Sequence, residues 1–381
     1  MLPMRFMARL PVAFVLAAWV CAPRSSAAQS WRLSPAPVLT ISADADSNAE
    51  FTGIAGLARL ASGEIIVAQG SPAELRLFSS AGKFVRRLAR TGSGPGEMIN
   101  PWWFGHTGDS LFISDQALSR ITVFDVPRGV VSTIVSAPRG APSRMIVSGR
   151  LAHGPWLVVA LPRLLSEQHA DGPFRDSTVL GYWAGDTALV HIVGQFPNIP
   201  YFGYNKSRFG AAVGAGLDRL TPISSFVAVG DRLWIGDPGS DYLLVYDTAA
   251  TRPTRVRVPL AHAPFSPASV QRTRDRILAT AKRALDSART MAMFDLATRP
   301  RNAPAFSRLL PGVNGGVWIE AYRAARDEAT EYVAIDATGR VTGRFRGPAA
   351  VRFLEIGSDY ALGVHRDTND VDSVVLYRVL R

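Results

Sequence analysis

Cysteine is nearly absent from this chain: among 381 residues there is one, Cys21. Lysine is almost as scarce, with only Lys83, Lys206 and Lys282, so nearly all of the 42 basic residues are arginine. One cysteine cannot make an internal disulfide framework or a thiolate metal centre. Long apolar runs are missing as well. Leu10–Val20 has 11 apolar residues, short of the ~20 needed to span a bilayer, and no later stretch reaches that length without charges. What is present excludes other classes. At 47% hydrophobic residues the chain can build a core and is not a disordered polymer, and its 33 glycines and 26 prolines follow no three-residue period.

The N-terminus has the pattern of a secretory signal. Arg5 and Arg9 precede the apolar Leu10–Val20, and Ser26-Ala27-Ala28 supplies small residues for cleavage before Gln29. Removing residues 1–28 takes away three arginines and no acid, so the formal charge falls from +11 to +8. It also removes Cys21. A lipoprotein reading, with Cys21 lipidated, is disfavoured because Val20 rather than a small residue precedes it. The expectation is an exported chain, periplasmic or extracellular, with no transmembrane segment after cleavage.

One unit recurs along the remainder: a Gly or Asp turn, a short apolar strand, a polar loop, then a strand ending in an aromatic residue. Asp109–Asp125 (DSLFISDQALSRITVFD) and Asp231–Asp247 (DRLWIGDPGSDYLLVYD) match in turn, strand length and aromatic-Asp ending. Gly63–Ser79, Gly154–Tyr182, Gly315–Asp336 and Asp359–Arg378 are looser copies. An apolar segment precedes each copy and a further strand candidate follows most. The pattern therefore predicts four short strands per unit and six units, which bury their faces by packing radially. Pro37–Ser42 has the alternation of an edge strand and is expected to close the ring against Ser373–Val379. The alternative is a two-sheet sandwich, or two domains built from the same strands.

These units resemble the six-bladed β-propellers of the NHL-repeat and TolB-like kind. The resemblance rests on Phe112-Ile113-Ser114-Asp115, Arg120-Ile121-Thr122-Val123-Phe124-Asp125 and the entry Gly92-Ser93-Gly94-Pro95-Gly96-Glu97 followed by Pro101. It implies an all-β fold, a six-bladed β-propeller of four-stranded antiparallel blades, occupying residues 29–381 as a single domain. The Asp that ends the second strand is replaced by Ala160 in the third copy, Glu320-Ala321 in the fifth and His365 in the sixth.

The repeat is interrupted at about 184–220 and 252–306. The first interruption carries the aromatic run Phe196–Tyr204, read either as a ligand wall or as a loop packing its own rings. The second carries a helix between blades four and five. Ser266 caps it, Pro267 suits its first position, and Val270, Ile277, Ala281, Leu285 and Ala288 form one stripe. It reads as a helix docked on one propeller face, or as a basic lid.

Propellers of this kind place ligands where the innermost strands begin. Those starts bring Glu50, Asn100, Arg144, Arg308 and Arg352 toward one mouth, and three arginine forks there favour a carboxylate or phosphate. The competing reading has the arginines in salt bridges with groups such as Glu355 or Asp359. The six histidines fall at unrelated places, with His106 read as a turn residue and His191 as part of an outer strand. Glu50 and Asn100 offer two oxygen ligands for a hard cation without a third. No G-x-S-x-G elbow occurs, and Gly92–Glu97 lacks the Lys-Ser/Thr of a phosphate loop. No catalytic residue, metal site or cofactor is predicted. The expected function is a monomeric binding scaffold for a protein or a small anionic ligand. The alternative is a divergent, lactonase-like metal-dependent hydrolase or lyase with its site at the axis. Dispersed basic residues and an exported address argue against nucleic acid.

Overall fold

The computed structural model describes residues 29–135, 145–152, 154–160, 172–185, 189–204, 214–247, 252–281, 287–288, 290–291, 294–295 and 299–381. The expected signal segment 1–28, Arg144 and Lys206 lie outside them.

The described strands form six sheets in chain order, all-β in architecture and propeller-like in arrangement. Their first strands are Ile54–Arg59, Pro101–Thr107, Met145–Arg150, Ser225–Val229, Phe306–Pro311 and Val351–Ile356. Each begins an antiparallel meander, and neighbouring first strands touch in a closed cycle, the sixth meeting the first. Arg352 at one strand start donates to the carbonyl of Ile54 at the next (3.3 Å), while Arg59 at a strand end donates its backbone N–H to Glu355 (2.9 Å). All starts therefore lie toward one mouth of the ring and all ends toward the other.

The packing follows from strand geometry. Alternate side chains of a strand point to opposite faces, and each sheet here has a neighbour on both faces. The second strands are accordingly apolar without interruption, as in Ile65-Ile66-Val67-Ala68. Ile65 and Val67 pack toward sheet six, whereas Ile66 and Ala68 pack toward sheet two. Six hydrophobic clusters fill the six seams in this way. Burying each Val, Leu, Ile or Phe contributes about 1.5–3 kcal/mol, so no sheet is stable without its neighbours.

Closure uses the N-terminal residues. Leu39–Ile41 pairs antiparallel with Val374–Leu376, as the alternation of Pro37–Ser42 predicts. Two further short strands join in. Arg32–Leu33 pairs with Val379–Leu380, and Gln29–Ser30 pairs in parallel with Gly343–Arg344 on sheet five. Between them the buried Trp31 fills the seam of sheets five and six, edge-on to Trp318 at 5.5 Å. Gly343 is required there, because a Cβ would stand 2.3 Å from the Trp31 ring. Strictly four-stranded antiparallel sheets were expected, but sheets three, five and six have five strands.

Two local readings are corrected. The aromatic run Phe196–Tyr204 is not a loop but belongs to the strand His191–Tyr204, which pairs along Gly172–Trp183. Its prolines mislead because Pro197 and Pro200 lie where the far edge is unpaired, beside a register shift. The helix spans Pro267–Thr280, with Ser266 accepting from the Ser269 N–H and Pro267 at its start. Ala281 already has extended backbone, so this helix stops short of Ala288, which lies in a separate helical stretch, and Leu285 of the expected stripe lies outside the described residues.

Candidate functional site

The helix settles on the mouth formed by the strand starts. Val270 and Ile277 pack with Leu220, Phe294 and Ala324. Arg272 pairs with Glu328 at 2.6 Å, Ser269 also bonds Glu328, and Thr273 donates to the Ala324 carbonyl at 2.7 Å. The two interrupting segments are tied together by Arg299 and Asp218, 2.6 Å apart and with side chains only 1% exposed. The sequence gives no sign of this pair, whose members are 81 residues apart.

Beside the helix lies a cavity of about 670 Å³. Gly53, Ile54, Ala350 and Arg352 come to it from the strand starts of sheets one and six. The turn after the second strand of sheet five brings Arg323, Arg326 and Asp327, sheet six brings Arg366, Asp367, Asp370 and Asp372, and the helix brings Arg276. Ala350 and Asp370 hold left-handed backbone, φ 60° and 61°. Such conformations cost on the order of 1 kcal/mol outside glycine and concentrate at functional sites.

Most of these charges are matched. Arg366 grips the buried Asp372 through two bonds of 2.7 and 2.9 Å. That bond raises the pKa of Arg366 and outweighs burial to hold Asp372 below the usual carboxylate range. Arg276 faces Asp327 at 3.6 Å. Asp367 accepts the backbone N–H groups of Asn369 and Val371. Behind the cavity, buried Glu320 takes Arg308 at 2.5 Å and Arg323 at 3.2 Å, and Arg308 also donates to the Phe353 carbonyl. Burial alone would raise Glu320, but the two guanidinium charges overcome it and hold the carboxyl ionised. The Tyr332 hydroxyl is pushed up to about 12, mainly by burial and then by Glu320.

Arg352 and Arg326 are different. Neither has a carboxylate within salt-bridge distance among the described residues, and Arg352 has only the Ile54 carbonyl. Both side chains are exposed at the cavity, with protein on their remaining sides. Burial, followed by the charges of Arg308 and Arg326, pushes the pKa of Arg352 down to about 10. Arg326 is lowered by burial and by Arg366 and Arg276. Two cations that repel their neighbours therefore face one polar cavity.

The expected site residues divide. Arg308 and Arg352 come together around Glu320 and Phe353, and Arg352 lines the cavity. Arg144 lies outside the described residues. Glu50 is exposed beyond a short 3-10 turn, its carbonyl accepting from Arg76 at 2.7 Å, and Asn100 donates to Gln116 at 3.3 Å. Neither lines the cavity. Among the described residues no three of His, Cys, Asp and Glu gather as a metal site. Arg323, Arg326 and Arg366 escape sequence reasoning because they sit at or just after the ends of second strands, not at first-strand starts. The only sequence sign is that copies five and six depart from the repeat there. His106 is not a turn residue. It lies in the first strand of sheet two, with Nε2 3.5 Å from Glu355 at the opposite mouth.

No protein-family model matches the chain, and no curated protein does. Solved structures are similar over most of its length. A member of the DUF4221 family from Bacteroides vulgatus ATCC 8482 is 8% identical, with 92% of this chain and 97% of that one covered and a TM-score of 0.48. A Bacteroides fragilis NCTC 9343 protein, named as a candidate exported protein, is 13% identical, with 92% and 99% covered and a TM-score of 0.46. The WD40 repeats of RRP9 are 11% identical, with 91% and 100% covered and a TM-score of 0.40.

Proposed function

We propose that the protein is an exported, monomeric six-bladed β-propeller of the NHL-repeat or TolB-like kind that binds a small anionic ligand where its innermost strands begin. Residues 29–381 act as one domain, and the helix inserted between blades four and five forms part of the binding wall. The closed cycle of first strands supports the blade count, and the charged start, apolar core and small residues of the N-terminus support export. The observation that carries the function is the pair Arg326 and Arg352, cations without a carboxylate partner on a cavity of about 670 Å³. A carboxylate or phosphate there supplies the missing charge, and guanidinium forks bind such groups bidentately.

Isothermal titration of the purified protein with inorganic phosphate and with succinate tests this reading. Binding of at least one anion, weakened about tenfold or more by Arg352→Ala, is the expected result, since charged hydrogen bonds contribute about 1.5–3 kcal/mol. Absence of binding, or binding indifferent to Arg352→Ala, overturns it.

A further inference from the structure

The mouth that carries Arg326 and Arg352 also presents an aromatic face. Trp102 is the second residue of the first strand of sheet two and is 52% exposed. Pairing passes over it: Pro101 faces Asp115 and Trp103 faces Ser114, so Trp102 is the extra residue of a β-bulge. Bulges at the rims of sheets turn a side chain away from the regular alternation. Trp103, in register, is packed edge-on to Trp156 in the seam of sheets two and three, whereas no ring or cation contacts Trp102 among the described residues.

The same bulge recurs at the second position of two other first strands. Pairing steps from Ile54 to Gly56 in sheet one and from Phe306 to Arg308 in sheet five, leaving Ala55 and Ser307 as the extra residues. Both are small. Three equivalent positions thus carry two small side chains and one indole, so the mouth is open over Ala55 and Ser307 and walled at Trp102. The start of the first strand of sheet one links the indole to the cation-lined cavity. Ala55 lines a small recess together with Trp102, and its neighbour Ile54 lines the arginine cavity. Successive Cα atoms are about 3.8 Å apart, so the two linings share one edge.

We infer that the ligand's anionic group is carried by a flat aromatic ring, the anion lying at Arg326 and Arg352 and the ring stacking on Trp102. This inference rests on the anion-binding reading above and adds the chemical class of the ligand. An indole offers a large rigid face to a planar ring at low entropic cost, and a few placed polar groups fix the orientation of the whole.

Titration of the purified full chain with 2-naphthoate, cyclohexanecarboxylate and inorganic phosphate separates the two claims. The planar acid is expected to bind at least tenfold more tightly than the saturated one. Trp102→Ala is expected to abolish that preference while leaving the saturated acid and phosphate within about twofold, and Trp102→Phe to restore part of it. Arg352→Ala is expected to weaken all three. Equal affinity for the two acids, or a preference that survives Trp102→Ala, overturns the aromatic class and leaves anion binding intact. Failure of all three anions to bind, or indifference of all three to Arg352→Ala, overturns the anion-binding reading and this inference with it.

Discussion

Where the first strands end, Glu355 of sheet six reaches His106 of sheet two across sheet one, accepts the Arg59 N–H and bonds the Tyr360 hydroxyl, while the Arg59 guanidinium lies 4.7 Å over the Tyr360 ring. Where the same strands start, Arg326 and Arg352 face a cavity with no carboxylate of their own. One mouth is electrostatically closed by the chain itself. The other keeps a surplus of positive charge that burial and like-charged neighbours make less favourable. Such exposed cations contribute no ion pair to the fold, so their gathering on one cavity is not explained by stability. The difference between the two mouths is thus between polar groups paired by the chain itself and cations left facing a cavity.

The comparison is broken most severely at Glu320, the buried carboxylate that holds Arg308 and Arg323 behind the arginine mouth. Glu320→Ala leaves Arg308 and Arg323 without their shared counter-charge in a site where the glutamate side chain is 3% exposed. Removing one member of a buried ion pair costs about 3–5 kcal/mol. Chemical denaturation is expected to show a loss of that size, and a loss below about 1 kcal/mol refutes the role given to Glu320. At the opposite mouth, Glu355→Gln keeps the shape but removes the charge that faces His106, Tyr360 and the Arg59 N–H. A loss of about 1.5–3 kcal/mol is expected by the same measurement, the range for hydrogen bonds to a charged group.

His106 makes the closed mouth sensitive to pH. Burial alone would lower its pKa, but the hydrogen bond and charge of Glu355 overcome this and raise it above the ordinary value. The folded state thus binds this proton more tightly than the unfolded state. The contribution is complete below the unfolded pKa of about 6.5 and is lost as pH rises through the folded value. The stability difference between wild type and His106→Gln is expected to shrink by about 0.2–1 kcal/mol between pH 5 and pH 8, the scale of a partly exposed pair. A difference that is flat or grows with pH contradicts the assignment.

Much of this ring was legible in the sequence, because its signals are local and repeated. Turn residues punctuate the strands of Asp109–Asp125 and Asp231–Asp247, and an apolar run opens the second strand of most copies. Closure was legible in Leu39–Ile41 through its alternation. Trp31 was not, since two-residue strands have no period, and its place depends on Gly343, more than three hundred residues away in the chain. The site was legible only in part. Arg308 and Arg352 stand at strand starts, which the repeat locates. Arg326 stands in a turn and Arg366 at the end of a second strand, so their convergence depends on how sheets five and six pack, and pairs such as Asp218 with Arg299 have no local signature at all. The departures from the repeat at Glu320-Ala321 and His365 were the available sign. In a repeat protein every copy meets the same packing demand, so a copy that breaks the pattern with charge is under some other demand.

The smallest effect is also the most telling about the open mouth. Arg352→Met removes a cation opposed by Arg308 and Arg326 and keeps an unbranched side chain in a place that already touches water. No carboxylate is left stranded, because Glu320 keeps Arg308 and Arg323 when the more distant Arg352 charge is lost, and the Ile54 carbonyl loses one long contact of 3.3 Å. Stability without ligand is therefore expected to stay within about 0.5 kcal/mol of wild type, with any change toward greater stability. The midpoint of thermal unfolding reads this directly, and adding phosphate is expected to raise it for wild type but not for Arg352→Met, since only a state that binds the anion is stabilised by it. A clear loss of stability in the absence of ligand means that Arg352 serves the fold, and the contrast between the two mouths disappears.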